Sequence, residues 1–68
     1  MKIEYQHDRY EVHCGMLTRT QKEQCLEWCW ASWGDGWGYM DTVHDETTFM
    51  FNKAYHAQWF VLKWSDLY

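Results

Sequence analysis

The sequence predicts a small α+β domain in which two helices pack on one face of an antiparallel sheet. Residues 2–14 and 47–51 alternate apolar and polar side chains as strands do. Residues 21–33 and 52–64 have the apolar spacing of helices. The chain has 68 residues, no proline and no low-complexity linker, so we expect one domain over residues 1–68. The predicted order is ββαββα, or βαββα if the first segment is one strand.

The first segment, residues 2–14, alternates in a way that changes parity midway. Ile3 and Tyr5 occupy odd positions, whereas Tyr10 and Val12 occupy even ones. A turn at residues 7–8 pairs Tyr5 with Tyr10 and Ile3 with Val12, which places all four side chains on one face. His-Asp is not a favoured hairpin turn, so a single bulged strand stays open as the alternative.

The next element is a helix over residues 21–33. Thr20 and Glu23 match a capping box, and Gly34 stands where a helix C-cap favours glycine. Trp28 lies beside the apolar stripe rather than within it. The stripe expected to face the core consists of Leu26, Cys29, Trp30 and Trp33.

Two strands and a second helix are predicted for the rest of the chain. A glycine-rich turn at 35–38 leads into a weak strand over 37–42, and a polar turn at 44–46 leads into a regular strand over 47–51. Asn52 is the expected N-cap of a helix that ends near Trp64.

Composition restricts the classes of function. Ten acidic residues against six basic ones give a net charge of −4 without a basic stripe, so we expect no duplex nucleic acid as partner. Charged residues follow Met1 closely and no apolar run is long enough to cross a bilayer, so we expect neither a signal peptide nor membrane contact. These features favour a cytoplasmic protein whose Cys14, Cys25 and Cys29 form no disulfide framework.

No motif in the chain indicates catalysis. Cys25 and Cys29 share a helix face and could hold a metal with His13 or Cys14, but the usual Cys-x-x-Cys spacing is absent. Buried cysteine also packs as a small apolar residue, and a nucleophilic pair of Cys14 with a histidine has no supporting motif. We therefore expect no enzyme activity, no metal and no cofactor.

Aromatic residues are in excess for so small a core, with six Trp, five Tyr and three Phe. The last helix has one apolar stripe for the core, which is Ala57, Phe60, Val61 and Trp64. It has a second stripe of Tyr55, Trp59 and Leu62, although one stripe is enough for a surface helix. Either large rings wrap the edges of a thin core, or these three residues and Trp28 and Trp37 form a surface that binds a partner or a second copy. The turn residues Asp41, Asp45 and Glu46 are expected to steer association with a basic surface.

The final strand and helix carry a resemblance to a protein family. Phe49-Met50-Phe51-Asn52, followed by Ala57, Phe60 and Leu62-Lys63-Trp64, resembles a pattern of small tailed-bacteriophage proteins, an F-x-F strand before a helix ending F-x-L-[KR]-W. The helix at 21–29 and the following Trp-Gly fit the same layout, so the resemblance covers roughly residues 20–64 and carries over no site residues. It implies a phage accessory protein in the host cytoplasm that binds a host protein and inhibits or redirects it. A homo-oligomer or minor virion component using the same aromatic surface is the alternative.

Overall fold

The computed structural model describes residues 1–6 and 8–65 and has a four-stranded antiparallel sheet with two helices on one face. The strands follow the order β1-β2-β4-β3. They are β1 (Lys2–Gln6), β2 (Arg9–Gly15), β3 (Gly38–Val43) and β4 (Glu46–Phe51), and the helices are α1 (Arg19–Trp33) and α2 (Ala54–Trp64). The predicted fold class is confirmed, in the ββαββα form. No helix in the described part of the chain is long and apolar enough to cross a membrane.

The first two strands form a hairpin with the register that the parity change predicts. Tyr5 pairs with Tyr10 and Ile3 with Val12, so the alternative of one bulged strand is wrong. Asp8 adopts a φ of 62°, a conformation that aspartate tolerates better than most residues. The other residue of the predicted turn, His7, lies outside the described residues.

Helix α1 begins two residues before the predicted position. Its N-cap is Thr18, whose Oγ1 accepts a hydrogen bond from the Gln21 N–H at 3.1 Å, while Gln21 Oε1 accepts one from the Thr18 N–H at 2.9 Å. Leu17 packs against the core just before this cap, which fixes the chain where the helix starts. The capping box predicted at Thr20 is therefore wrong, whereas Gly34 is the C-cap as predicted, with a φ of 67°.

Both helices bury aromatic and small side chains against the sheet, but α1 is rotated relative to the predicted stripe. Trp28 packs edge to face on Trp33, Phe60 and Trp64, with ring centroids 4.9, 6.1 and 6.2 Å apart. Trp30, predicted to be in the core, is 51% exposed because α2 lies on the Trp28 side of α1. The fully or largely buried apolar side chains are Val12, Cys25, Cys29, Trp37, Phe49, Phe51, Ala57, Phe60 and Trp64.

A short 3-10 helix, Gly34–Gly36, turns the chain from α1 into β3 and carries Trp37 into the core. The ring centroid of Trp37 lies 5.4 Å from that of Phe51 and 6.1 Å from that of Phe49. The next residue, Gly38, lets the backbones of β3 and β4 lie close together, because it has a φ of 139° and a Cβ there would lie 1.8 Å from the Met50 carbonyl oxygen. Of the two alternatives left open for Trp37, the core or a surface patch, the structure shows the core.

The link from β4 to α2 differs from the prediction in its cap. The N-cap of α2 is Lys53, which makes no side-chain capping hydrogen bond. Asn52 instead fastens the loop before β3, since its backbone N–H donates to the Trp37 carbonyl at 3.2 Å and its Nδ2 to the Gly36 carbonyl at 3.5 Å. The predicted capping role of Asn52 is wrong because this residue bonds back to the preceding loop.

Candidate functional site

The outward side of α2 carries three large apolar side chains, Tyr55, Trp59 and Leu62, which we call the α2 surface. Their exposed fractions are 50%, 58% and 69%. Residues spaced i, i+4 and i+7 share one face of a helix, and here that face is opposite Phe60 and Trp64, which are buried. The structure thus places these three side chains in solvent, and their role in binding stays a prediction.

Lys53 places positive charge at the N-terminal end of the α2 surface, whereas Lys63 lies toward the buried side of the helix. Lys53 Nζ lies 5.7 Å from the centroid of the Tyr55 ring, within the range of a cation–π contact. Lys63, in the last turn of α2, lies over the ring of Trp64 at 5.4 Å. Residues 54–64 include no acidic side chain, so a neutral or acidic rim on a partner complements this face.

The two other aromatic candidates do not belong to this surface. Trp28 is half-buried between the helices, with Phe60 and Trp64 on its ring, and Trp37 is fully buried. Both side chains fill the space between the helices and the sheet, so neither presents a free aromatic ring to a partner. The expected binding surface is therefore smaller than the sequence suggested, but it is contiguous along one helix.

The acidic candidates lie on another side of the molecule. Asp41, Asp45 and Glu46 are exposed. Thr48 lies on the side of the sheet away from the helices, where its hydroxyl contacts His13. Asp41 is paired with Thr48, and Glu46 lies two residues before Thr48 on β4, so both share its face. Because alternate side chains of a strand point to opposite faces, Asp41 and Glu46 lie across the sheet from the α2 surface. Their steering role stays a prediction and can act only at long range.

The face of the sheet that the helices leave uncovered, here the open face, holds a polar cluster. Glu4 and Glu11 are directly opposite each other on β1 and β2, and His13 follows two residues later on the same face. His13 Nε2 lies 3.3 Å from Glu4 Oε2 and 3.3 Å from Glu11 Oε1. The pKa of Glu4 is held below its usual value, chiefly by the hydrogen bond and charge of Lys2. We call Glu4, Glu11 and His13 the open-face cluster.

Sequence reasoning misses the open-face cluster, because it looks for histidine and cysteine at short spacings. The signal was nevertheless present in the predicted hairpin. Pairing Tyr5 with Tyr10 also pairs Glu4 with Glu11, and it puts His13 on the same side of the sheet as both carboxylates. The predicted register of a hairpin therefore also predicts which polar side chains of its two strands lie together on the other face.

The cysteines behave as apolar core residues. Cys25 and Cys29 are fully buried and Cys14 is half-buried, and all three are free thiols. Burial raises the pKa of Cys14 to about 11 and that of Cys25 to about 12, and it raises the pKa of Cys29 as well. Nucleophiles and metal ligands require the thiolate, so this environment disfavours both roles.

Comparison of the chain with protein-family models, curated proteins and solved structures gave no significant match. The resemblance of residues 20–64 to small phage proteins therefore stays a prediction. Two surfaces on opposite sides of the molecule, the α2 surface and the open-face cluster, are the candidate functional sites.

Proposed function

We propose that this protein is a binding protein whose α2 surface docks into an apolar groove of a partner protein. The observation that supports this most directly is the exposure of Tyr55, Trp59 and Leu62 on one face of α2. Spacing of i, i+4 and i+7 is the anchor pattern of helices that bind in grooves. Tryptophan and tyrosine are also the residues that most often dominate the energy of an interface.

Charge disfavours a parallel pairing of two copies of this chain. If two α2 helices paired parallel through this face, Lys53 of one copy would approach Lys53 of the other, beside the Tyr55 rings. That arrangement brings like charges together at the edge of the interface. A partner with an apolar groove and a neutral or acidic rim avoids this repulsion.

The partner that we propose is a bacterial host protein, which this chain inhibits or redirects as a phage accessory protein. The support for this is the resemblance of the F-x-F strand and the F-x-L-[KR]-W helix to such proteins. A net charge of −4 accelerates encounter with a host protein that is basic overall. Because the acidic turn lies away from the α2 surface, this charge affects the association rate more than the contact itself.

The proposal is tested by capture from a bacterial lysate with matched tryptophan variants. Trp59→Ala removes the central anchor, and Trp30→Ala removes a tryptophan of similar exposure from α1. We expect a host protein that the wild type and Trp30→Ala retain and that Trp59→Ala loses. The purified pair is then titrated by calorimetry, where loss of an anchor of this kind costs at least about 2 kcal/mol of binding free energy, roughly 30-fold in Kd.

Two results overturn the proposal. One is equal capture of every partner by the wild type and by a folded Tyr55→Ala/Trp59→Ala double variant. The other is a stable dimer of the wild type in sedimentation that Trp59→Ala dissociates, because that result assigns the α2 surface to self-assembly. Thermal unfolding of each variant establishes that the loss of binding is not loss of the fold.

A further inference from the structure

The open-face cluster begins with a pairing of like charges. Glu4 and Glu11 are directly opposite each other in the β1–β2 ladder. Carboxylates in that position repel each other and destabilise the pair of strands. Lys2 Nζ lies 3.0 Å from Glu4 Oε1 and Gln6 Nε2 donates a hydrogen bond to Glu4 Oε2 at 2.8 Å. Glu4 Oε2 and Glu11 Oε1 each lie 3.3 Å from His13 Nε2. This arrangement is favourable when a cation lies among these atoms.

The imidazole of His13 is held with one nitrogen between the two carboxylates. Its Nδ1 lies 3.3 Å from the Thr48 hydroxyl on β4, a contact that fixes the orientation of the ring. Its Nε2 is shielded from solvent and has no hydrogen-bond partner among the described residues, although both carboxylate oxygens are near. A metal-bound histidine has this environment, with a polar group on one ring nitrogen and the other nitrogen left for the ion.

The distances within the open-face cluster match those of a first-row metal site. Zn²⁺ binds nitrogen and oxygen ligands tetrahedrally at about 2.0–2.2 Å, which places any two ligand atoms about 3.3–3.6 Å apart. The two distances from His13 Nε2 are both 3.3 Å. The ligand atoms of all three residues lie within 4.8 Å of one another, so a small movement of the carboxylates closes the third edge.

We propose that Glu4, Glu11 and His13 bind one zinc-type divalent cation, with water in the fourth position. One imidazole and two carboxylates are ligands that Zn²⁺ accepts in proteins. The cation neutralises both carboxylates, and because it binds Glu4 through Oε2, Lys2 keeps its contact with Oε1. His13 Nε2 itself is shielded, but the side chains of His13 and Glu4 are 40% and 31% exposed, so a side-chain movement at the open face admits the ion without unfolding the sheet.

The site ties the edge strand β1 to the interior of the sheet. Among residues 1–6 and 8–65, β1 pairs only with β2, and Ile3 and Tyr5, on its helix side, are both exposed. Glu4 comes from β1, whereas Glu11 and His13 come from β2. One ion therefore joins the two strands where their carboxylates otherwise repel, and its binding energy adds to the stability of the hairpin.

The probe is Zn²⁺ alone, titrated by calorimetry into the full chain after treatment with a chelator and in a reductant that does not bind metal. We expect one ion per chain. His13→Gln and Glu11→Gln should each weaken binding by at least about tenfold, and Thr48→Val, which leaves Nδ1 without its hydroxyl, should weaken it by about tenfold. Zn²⁺ should also slow the hydrogen exchange of β1 amides in the wild type and not in His13→Gln.

Controls separate this site from adventitious binding. His44→Asn and Glu46→Gln remove an exposed imidazole and an exposed carboxylate outside the open-face cluster, and both should bind Zn²⁺ as the wild type does. Cys14→Ser should also leave binding unchanged. The proposal is overturned if Cys14→Ser abolishes binding, if folded His13→Gln binds Zn²⁺ as the wild type does, or if no binding occurs up to about 1 mM Zn²⁺.

Discussion

The orientation of α2 is the structural fact on which the proposed function depends, and two substitutions test it. Phe60 and Leu62 are two residues apart on the same helix but on opposite faces. Phe60 is fully buried, with ring centroids of Phe49 and Phe51 at 4.6 and 5.3 Å, whereas Leu62 is 69% exposed. Phe60→Leu should therefore destabilise the protein more than Leu62→Ala does, although each change removes three carbon atoms.

The two losses follow from burial and ring contacts. Phe60→Leu keeps most of the apolar volume, which costs less than about 1.5 kcal/mol, and forfeits ring pairs worth roughly 0.5–1.5 kcal/mol each. Phe60 makes four such pairs, so we expect a loss of at least about 2 kcal/mol, out of a free energy of unfolding of about 3–10 kcal/mol for a domain of this size. Full burial of a leucine is worth about 1.5–3 kcal/mol, so the buried third of Leu62 is worth less than about 1 kcal/mol. The higher helix propensity of alanine offsets part of that loss.

Urea unfolding followed by tryptophan fluorescence and by far-UV circular dichroism measures both changes. With a denaturant dependence of about 1 kcal/mol per M, Phe60→Leu should lower the midpoint by at least about 2 M and Leu62→Ala by less than about 1 M. Equal shifts, or a larger shift for Leu62→Ala, would mean that α2 is rotated about its axis. The α2 surface would then be part of the core, and the proposed function would lose its support.

Three further changes test other parts of the fold by the same urea assay. Gly38→Ala should cost at least about 3 kcal/mol, because its Cβ would lie 1.8 Å from the Met50 carbonyl oxygen at a φ of 139°; a near-wild-type midpoint would contradict this geometry. Thr18→Ala should lower the free energy of unfolding by about 1 kcal/mol, because Thr18 is the N-cap of α1. Thr20→Ala should lower it much less. If Thr20→Ala has the larger effect, the capping box is at Thr20, as predicted from the sequence. Burial, with a smaller effect of Lys53, lowers the pKa of His56, so below about pH 6.5 the unfolded chain takes up a proton that the folded chain resists. Stability should fall from pH 7 to pH 5 more steeply in the wild type than in His56→Gln, and parallel profiles would show that His56 is not the group responsible.

The register of the first hairpin was predictable from the sequence because it is a matter of parity. Ile3 and Tyr5 can share a face with Tyr10 and Val12 if the chain reverses between the two pairs or contains a bulge there, and the structure has the reversal. The same register also predicts the open-face cluster, because the pairing of Tyr5 with Tyr10 places Glu4 opposite Glu11 on the other face. The end of α1 was equally readable, because glycine at a φ of 67° satisfies a local requirement of the backbone.

The rotation of α1 and the burial of Trp37 were not predictable, because they depend on which aromatic rings meet across the core. Tryptophans occur at positions 28, 30 and 33, on several sides of the helix, so periodicity alone cannot select the inward face. The selection is made by α2, which contacts Trp28 through Phe60 and Trp64. Trp37 follows a short glycine-rich turn whose local sequence suits either an exposed or a buried ring.

The two proposed sites lie on opposite sides of one packed core, and that separation makes them independent of each other. β2 presents His13 to the open face and Val12 to the core, whereas α2 presents Phe60 to the core and Trp59 to solvent. A signal from a bound ion to the α2 surface would have to displace buried rings that are closely packed, which is costly. Distant sites without shared partners are additive to within about 0.5 kcal/mol, so saturating Zn²⁺ should change the affinity for a partner by no more than about twofold. A larger change would show that the cation repacks the core, and failure of either site alone leaves the other intact.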